Sequence, residues 1–224
     1  MPLLTRLLRH KHTKMASPLP IFEIPTLSSL YKQHKLSPPP PASIAPVSAT
    51  SYNTKISLIR TDITTLSVTA IVNAANNSLL GGGGVDGAIH RAAGRGLVEE
   101  CRTLDGCDTG SAKITGAYDL PCKYVIHAVG PVYYASKRQR AAQLLAGCYT
   151  TALDLLESVG GGSIAFSALS TGIYGYPSDE AAEVAVGAVR QWLDEDAERA
   201  GRVERVVFCS FLEKDERAYE ETVP

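Results

Sequence analysis

No stretch of the 224 residues approaches the ~18–20 consecutive apolar residues needed to cross a bilayer, so no membrane span is expected. Zinc-type spacing is missing too. The five cysteines (Cys101, Cys107, Cys122, Cys148, Cys209) are odd in number and contain no C-x-x-C, and no His pair sits at ligand spacing. That usage suits reduced, mostly packed thiols in an intracellular protein, with no structural metal. Net charge is nearly absent, at −1, but it is unevenly split. Residues 1–55 carry seven Lys/Arg against one acidic residue, Glu23, for a net +6; residues 56–224 carry fifteen against twenty-two, for a net −7. An acidic folded part argues against a broad phosphate-neutralising surface, so no duplex nucleic acid is expected as a partner. Any anion would have to be held locally, by backbone N–H groups.

What is present falls into two textures. Residues 1–51 read as a basic, Pro-rich tail and linker. The first fourteen, MPLLTRLLRHKHTK, contain no acid and suit either a mitochondrial presequence or a basic tail upstream of a start at Met15. Pro38–Pro41 and the Ser/Ala/Thr/Pro-rich stretch to Thr50 read as linker. Between them, IPTLSSLYKQHKL is compatible with a short helix docking on the domain. Cytoplasmic or nuclear residence is the expectation, or mitochondrial if residues 1–14 act as a presequence.

From residue 52 to 224, short β-branched runs alternate with segments of helical period. Strands are expected at Ile56–Arg60, Ala70–Asn73, Tyr124–Val129, Ser163–Ser167 and Val206–Phe211. Helices are expected at Val85–Gly94, Leu97–Leu104, Arg138–Val159, Ser178–Asp196 (with Ser178 as N-cap) and after Lys214. Such alternation predicts an α/β, three-layer α/β/α domain with a central mixed, mostly parallel sheet. The acidic Asp194–Glu198 cluster reads as a solvated helix end.

The most specific stretch is N-A-A-N-N-S-L-L-G-G-G-G-V-D-G-A-I-H, residues 73–90. It joins a strand to a helix, where α/β folds bind phosphates. Bare glycine backbone allows close approach and turns N–H groups toward a ligand. A Walker A loop requires a Gly-Lys-Ser/Thr ending, and here the run ends Gly84-Val85-Asp86, which excludes that route to NTP hydrolysis. A second loop of small residues, A-L-S-T-G-I-Y-G-Y-P (168–177), follows another strand, so two loops at strand carboxyl ends can grip a diphosphate from both sides. Asp62, in Thr61-Asp62-Ile63-Thr64, suits either a purine amine or a helix cap. A Ser170–His–Asp triad is disfavoured, because Ser170 has no G-x-S-x-G elbow.

These segments, with Y-V-I-H-A-V-G-P (124–131) and F-L-E-K-D (211–215), resemble the macrodomain family, specifically the MacroD type that removes mono-ADP-ribose; the likeness covers about residues 55–222. The resemblance implies a monomeric hydrolase of ADP-ribose esters on acidic side chains of proteins, also able to deacetylate O-acetyl-ADP-ribose, with no cofactor. The alternative is a module that only binds ADP-ribose. By resemblance, Asp86 and Asn76 are the catalytic pair, Asn76 holding the distal ribose. Asp62 binds the adenine amine with the Ile63 backbone beside it, and Phe211 packs against adenine. Ala75 and Gly82, Gly83, Gly84 and Val85 line the first loop. Ser170, Thr171, Gly172, Ile173 and Tyr174 form the second, with Tyr174 over the distal ribose. Thr61 stands where the family usually has Gly. Asp86, at a helix N-terminus, is expected to have a lowered pKa and so to act mainly by orienting water and the ribose, with the substrate diphosphate sharing the proton work. His90 and His127 are expected to be packed rather than chemical.

Overall fold

The computed structural model describes residues 17–37 and 51–223. In chain order the elements are β1 (Leu19–Pro20), α1 (Leu27–Lys32), β2 (Ile56–Arg60), β3 (Leu66–Ser67), β4 (Ala70–Ala74), α2 (Gly84–Ala93), α3 (Arg95–Thr103), β5 (Ala112–Gly116), β6 (Tyr124–Ala128), α4 (Arg138–Ser158), β7 (Gly162–Ser167), α5 (Ser178–Glu195), α6 (Ala197–Arg202), β8 (Val203–Ser210) and α7 (Glu213–Thr222).

Six strands form one sheet in the order β2-β8-β7-β4-β6-β5. All neighbours are parallel except β5, which runs antiparallel to β6. Period-two alternation sends side chains to two separate cores. Val72, Ile126, Phe166 and Phe208 face one, with α1, α4, α5 and α7. Ile71, Val125, Ala165 and Val207 face the other, with α2 and α3. A sheet buried on both faces needs apolar residues at consecutive positions, which is why the central strands read as unbroken apolar runs. This is the expected three-layer arrangement.

The five expected strands and five expected helices are all found, with small shifts at their ends. Two differences have clear causes. β5 was not anticipated: A-K-I-T-G has a single large apolar residue and sits at the sheet edge, half-buried. Ser178 is the first residue of α5 rather than its cap; Pro177 takes the cap position, and Ser178 Oγ instead donates to the buried Asp215 Oδ1 at 2.7 Å. The acidic cluster marks a break between helices, with Asp196 capping α6 by accepting from the N–H groups of Glu198 and Arg199 at 2.9 and 3.0 Å.

Residues 17–37 pack onto this unit. β1 pairs with β3, and Thr26 bridges to Ser57 on β2. Thr26 Oγ1 caps α1 by accepting from Ser29 N at 3.2 Å. Ile24 enters the α2–α3 core, and Leu27, Leu30 and Leu36 enter the other. Within the stretch IPTLSSLYKQHKL, the helix is the six residues Leu27–Lys32. Residues 1–14 and the proline run lie outside the described residues. No described helix is long and apolar enough to cross a membrane.

Candidate functional site

The chain leaves β4 at its carboxyl end, passes Ala75 and Asn76, and turns into the glycine run. Asn76 builds the first turn itself: its Oδ1 accepts from Ser78 N and Oγ at 3.0 and 2.6 Å, and its Nδ2 donates to Gly81 O at 2.9 Å. Gly84 has φ +60°, the left-handed conformation that glycine adopts without a Cβ penalty. α2 starts at that residue, so Val85 and Asp86 lie in its first turn. Gly82 sits where Asn76 and Asp86 converge. A Cβ placed there would lie 3.0 Å from Asp86 Oδ2 and 3.3 Å from Asn76 Nδ2.

A cleft of about 260 Å³ opens over this turn. One wall is Ala75, Asn76, Gly82, Gly83, Gly84, Val85 and Asp86; the other is Ser170, Gly172, Ile173 and Tyr174, joined by Gly130 and Ala168. The two walls thus hold most of the expected site residues, brought together from the ends of β4 (Ala74) and β7 (Ser167), far apart in the chain. Asp62, Ile63, Thr171 and Phe211 are not part of the lining. Asp62 and Phe211 follow the adjacent strands β2 and β8, where Thr61 N donates to Ser210 O at 3.0 Å, so they are neighbours on an open shelf. Phe211 is 74% exposed there. Asp62 serves locally as a cap, its Oδ1 accepting from Thr64 N and Oγ1 at 3.0 and 2.7 Å. Ile63 is buried beneath, in the α2–α3 core.

The second wall is strained and braced. Ser170 is a non-glycine residue at φ +65°, and its buried Oγ has no partner among the described residues. Gly130 stands opposite; any side chain there would collide with Ser170 Oγ. Tyr176 N donates to Ser170 O at 3.0 Å, and Tyr133 N donates to Tyr174 O at 2.8 Å. Lys214 Nζ donates to Thr171 O at 2.8 Å, fastening the loop to α7. Such an unpartnered buried hydroxyl at the cleft wall suits a ligand that can accept its hydrogen, an anion among them.

Asp86 departs from expectation. Its carboxyl is buried, and burial raises its pKa above the ordinary carboxylate value; the Asn73 hydrogen bond and the nearby His90 pull the other way with smaller effect. The helix N-terminus does not win, because desolvation of a carboxylate outweighs a dipole effect of about 0.3–1 kcal/mol. His90 lies on the same helix face, with Nε2 3.4 Å from Asp86 Oδ1 but without hydrogen-bond geometry. Its ring packs under Gly81, as anticipated. The fold also gathers His90, Cys101 and His127, whose ligand-type atoms lie within 4.8 Å of one another. Sequence spacing could not show this. Three residues inside motifs quoted above also meet the site without having been singled out: Gly130 lines the cleft, Asn73 bonds Asp86 and Lys214 bonds Thr171.

Residues 72–185 match the Macro domain family. The rat ADP-ribose glycohydrolase MACROD1 is 55% identical over 172 residues, 77% of this chain and 66% of that protein. For the mouse MACROD1 protein the identity is again 55%, over 52% of its length, so the chain spans about half to two thirds of the curated relatives it first matches. A macro domain-containing protein of Chlorobaculum tepidum is 52% identical over 171 residues, 76% of this chain and 96% of that protein. The Trypanosoma brucei macrodomain, crystallised in complex with ADP-ribose, superposes with a TM-score of 0.77 at 37% identity, covering 93% of this chain and 78% of that one.

Proposed function

The chain belongs to the Macro domain family, and from that premise we propose that it is a hydrolase releasing mono-ADP-ribose from acidic side chains of proteins. Deacetylation of O-acetyl-ADP-ribose would use the same geometry. The observation that carries the reading is the convergence of Asp86 and Asn76 on Gly82, inside a cleft walled by two small-residue loops. The relatives named ADP-ribose glycohydrolases and the ADP-ribose complex of a neighbour support it.

In this reading the Gly82–Val85 and Ser170–Tyr174 backbones cradle the diphosphate, with Ala75 beside them and the buried Ser170 hydroxyl as a donor. The helix N-terminus at Gly84 adds a favourable partial charge. Tyr174 and Asn76 flank the distal ribose. Asp62, Ile63 and Phe211 take the adenine on the open shelf. Asp86 then faces the reacting end. A carboxylate whose pKa is raised by burial is a better proton acceptor near neutral pH than one held low by a helix dipole, so Asp86 orients the attacking water and shares its proton. Holding water and ester in place supplies much of the rest. We further propose that the chain acts as a monomer and without a cofactor.

One observation favours the binding-only reading. Asn76 already spends its amide on Gly81 and Ser78, so part of its capacity goes to building the loop. The test is ADP-ribose release from a glutamate-mono-ADP-ribosylated protein by wild type and Asp86→Ala, with ADP-ribose binding measured by calorimetry. Release by wild type alone, with binding kept by both, is the expected result. Binding without release by wild type would make the protein a reader.

A further inference from the structure

Behind Asp86 the α2–α3 core is not apolar throughout. Asn73 on β4 and His127 on β6 are register partners and lie on the sheet face shared by Ile71 and Val125. Both are fully buried, and Thr115 on β5 is nearly so. Asn73 Nδ2 lies 2.8 Å from Asp86 Oδ1 and 3.2 Å from His127 Nδ1. His127 Nε2 lies 3.0 Å from Thr115 Oγ1, which lies 3.4 Å from Val125 O.

Donor and acceptor chemistry gives this chain one direction. An amide nitrogen only donates, so Asn73 spends one hydrogen on Asp86 and the other on His127 Nδ1, which must be bare. The His127 proton then sits on Nε2 and is donated to Thr115 Oγ1, whose own hydrogen goes to Val125 O. Flipping the Asn73 amide would set its oxygen against the carboxylate oxygen Asp86 Oδ1, two acceptors 2.8 Å apart. We propose that His127 is a positioning residue for catalysis: acting through Asn73, it locks Asp86 Oδ1 from behind and leaves Oδ2 directed at the cleft beside Gly82. The proposal rests on the reading of Asp86 given above.

Two further observations agree. Burial pushes the His127 pKa down to about 3, so the ring stays neutral, as an acceptor at Nδ1 requires. A metal does not explain the His90–Cys101–His127 cluster as well. A metal needs bare ring nitrogens, whereas both His127 nitrogens are engaged in the polar chain.

The test has two parts. Long-range ¹H–¹⁵N NMR of the wild-type protein at neutral pH reads the His127 tautomer directly. A neutral Nε2–H ring is expected; an Nδ1–H ring or an imidazolium overturns the proposal, whatever the enzyme's activity. In parallel, ADP-ribose release is measured for His127→Leu and His127→Asn. His127→Leu should lose roughly 10–100-fold in kcat, the usual scale for losing a supporting partner, while KM and the ADP-ribose Kd stay within about twofold. His127→Asn puts a carbonyl oxygen near the Nδ1 position and should recover most of the lost rate. Equal losses in both variants, or losses of kcat matched by losses of affinity, refute the positioning role. If wild type releases no ADP-ribose, the hydrolase reading fails, while the NMR result still decides whether the relay is set as described.

Discussion

Replacing Gly82 with alanine tests the reacting geometry more directly than removing either side chain. The new methyl would lie 3.0 Å from Asp86 Oδ2 and 3.3 Å from Asn76 Nδ2, when ordinary contacts begin near 3.4 Å. Both groups must give way by a few tenths of an ångström. Gly82 is not in the left-handed region, so its backbone accepts alanine and folding stability should change by no more than about 1 kcal/mol. Misplacement of reacting groups by 1 Å costs on the order of 10²-fold in rate, so a smaller shift should lower kcat by roughly 10-fold. Gly84→Ala is the contrast. It meets no atom within 4 Å but must hold φ +60°, a conformation that costs about 1–2 kcal/mol with a Cβ. It should lower Tm by several degrees. Thermal unfolding, ADP-ribose calorimetry and release from a glutamate-modified protein together separate the two effects. Full turnover by Gly82→Ala would refute the assignment of the Asp86–Asn76 convergence as the place where chemistry occurs.

Asp86→Asn should abolish release and raise Tm at neutral pH. Burial lifts the Asp86 pKa in the folded state, so the ionised form costs stability, and that cost appears as pH rises from the ordinary carboxylate value through the raised one. For the same reason, the wild-type rate should fall as pH drops through a pKa above the usual carboxylate range, which a pH–rate profile would locate. Lys214→Met removes the 2.8 Å bond to Thr171 O and should weaken ADP-ribose binding by about 3–10-fold, as expected for one hydrogen bond; calorimetry showing unchanged affinity would remove α7 from the site. Leu27→Ala, in the docked N-terminal helix, should cost about 2–4 kcal/mol in a denaturant titration while ADP-ribose affinity stays constant.

The fold was largely legible because its parallel strands are buried on both faces. Such strands must be apolar at nearly every position, and short unbroken β-branched runs reveal them. β5 escaped because an antiparallel edge strand with one isoleucine lacks that texture. In the site, the glycine run and the small-residue loop were legible because unusual composition marks unusual backbone. Position in a motif does not show that Thr171 gives its carbonyl to Lys214 or that the Ile63 side chain turns into the core, which leaves the rest of each backbone to face a ligand. Neighbours in sequence on a loop or a turn need not share a direction in space.

The sign of the Asp86 shift was misread for a deeper reason. Local sequence shows the helix N-terminus, which favours the charged form, but not the depth of the core beneath it, which opposes charge more strongly. That depth comes from strand register. Asn73, Thr115 and His127 are far apart in the chain and meet only because β4, β6 and β5 pair as they do. The same registration also supplies Asp86 with a direct hydrogen-bond donor, Asn73. A carboxylate buried alone would protonate or turn toward water; one held by an amide that is itself oriented from behind can stay ionised and aimed. The glycines clear the space in front of Asp86, and the polar chain between the strands decides which oxygen faces it.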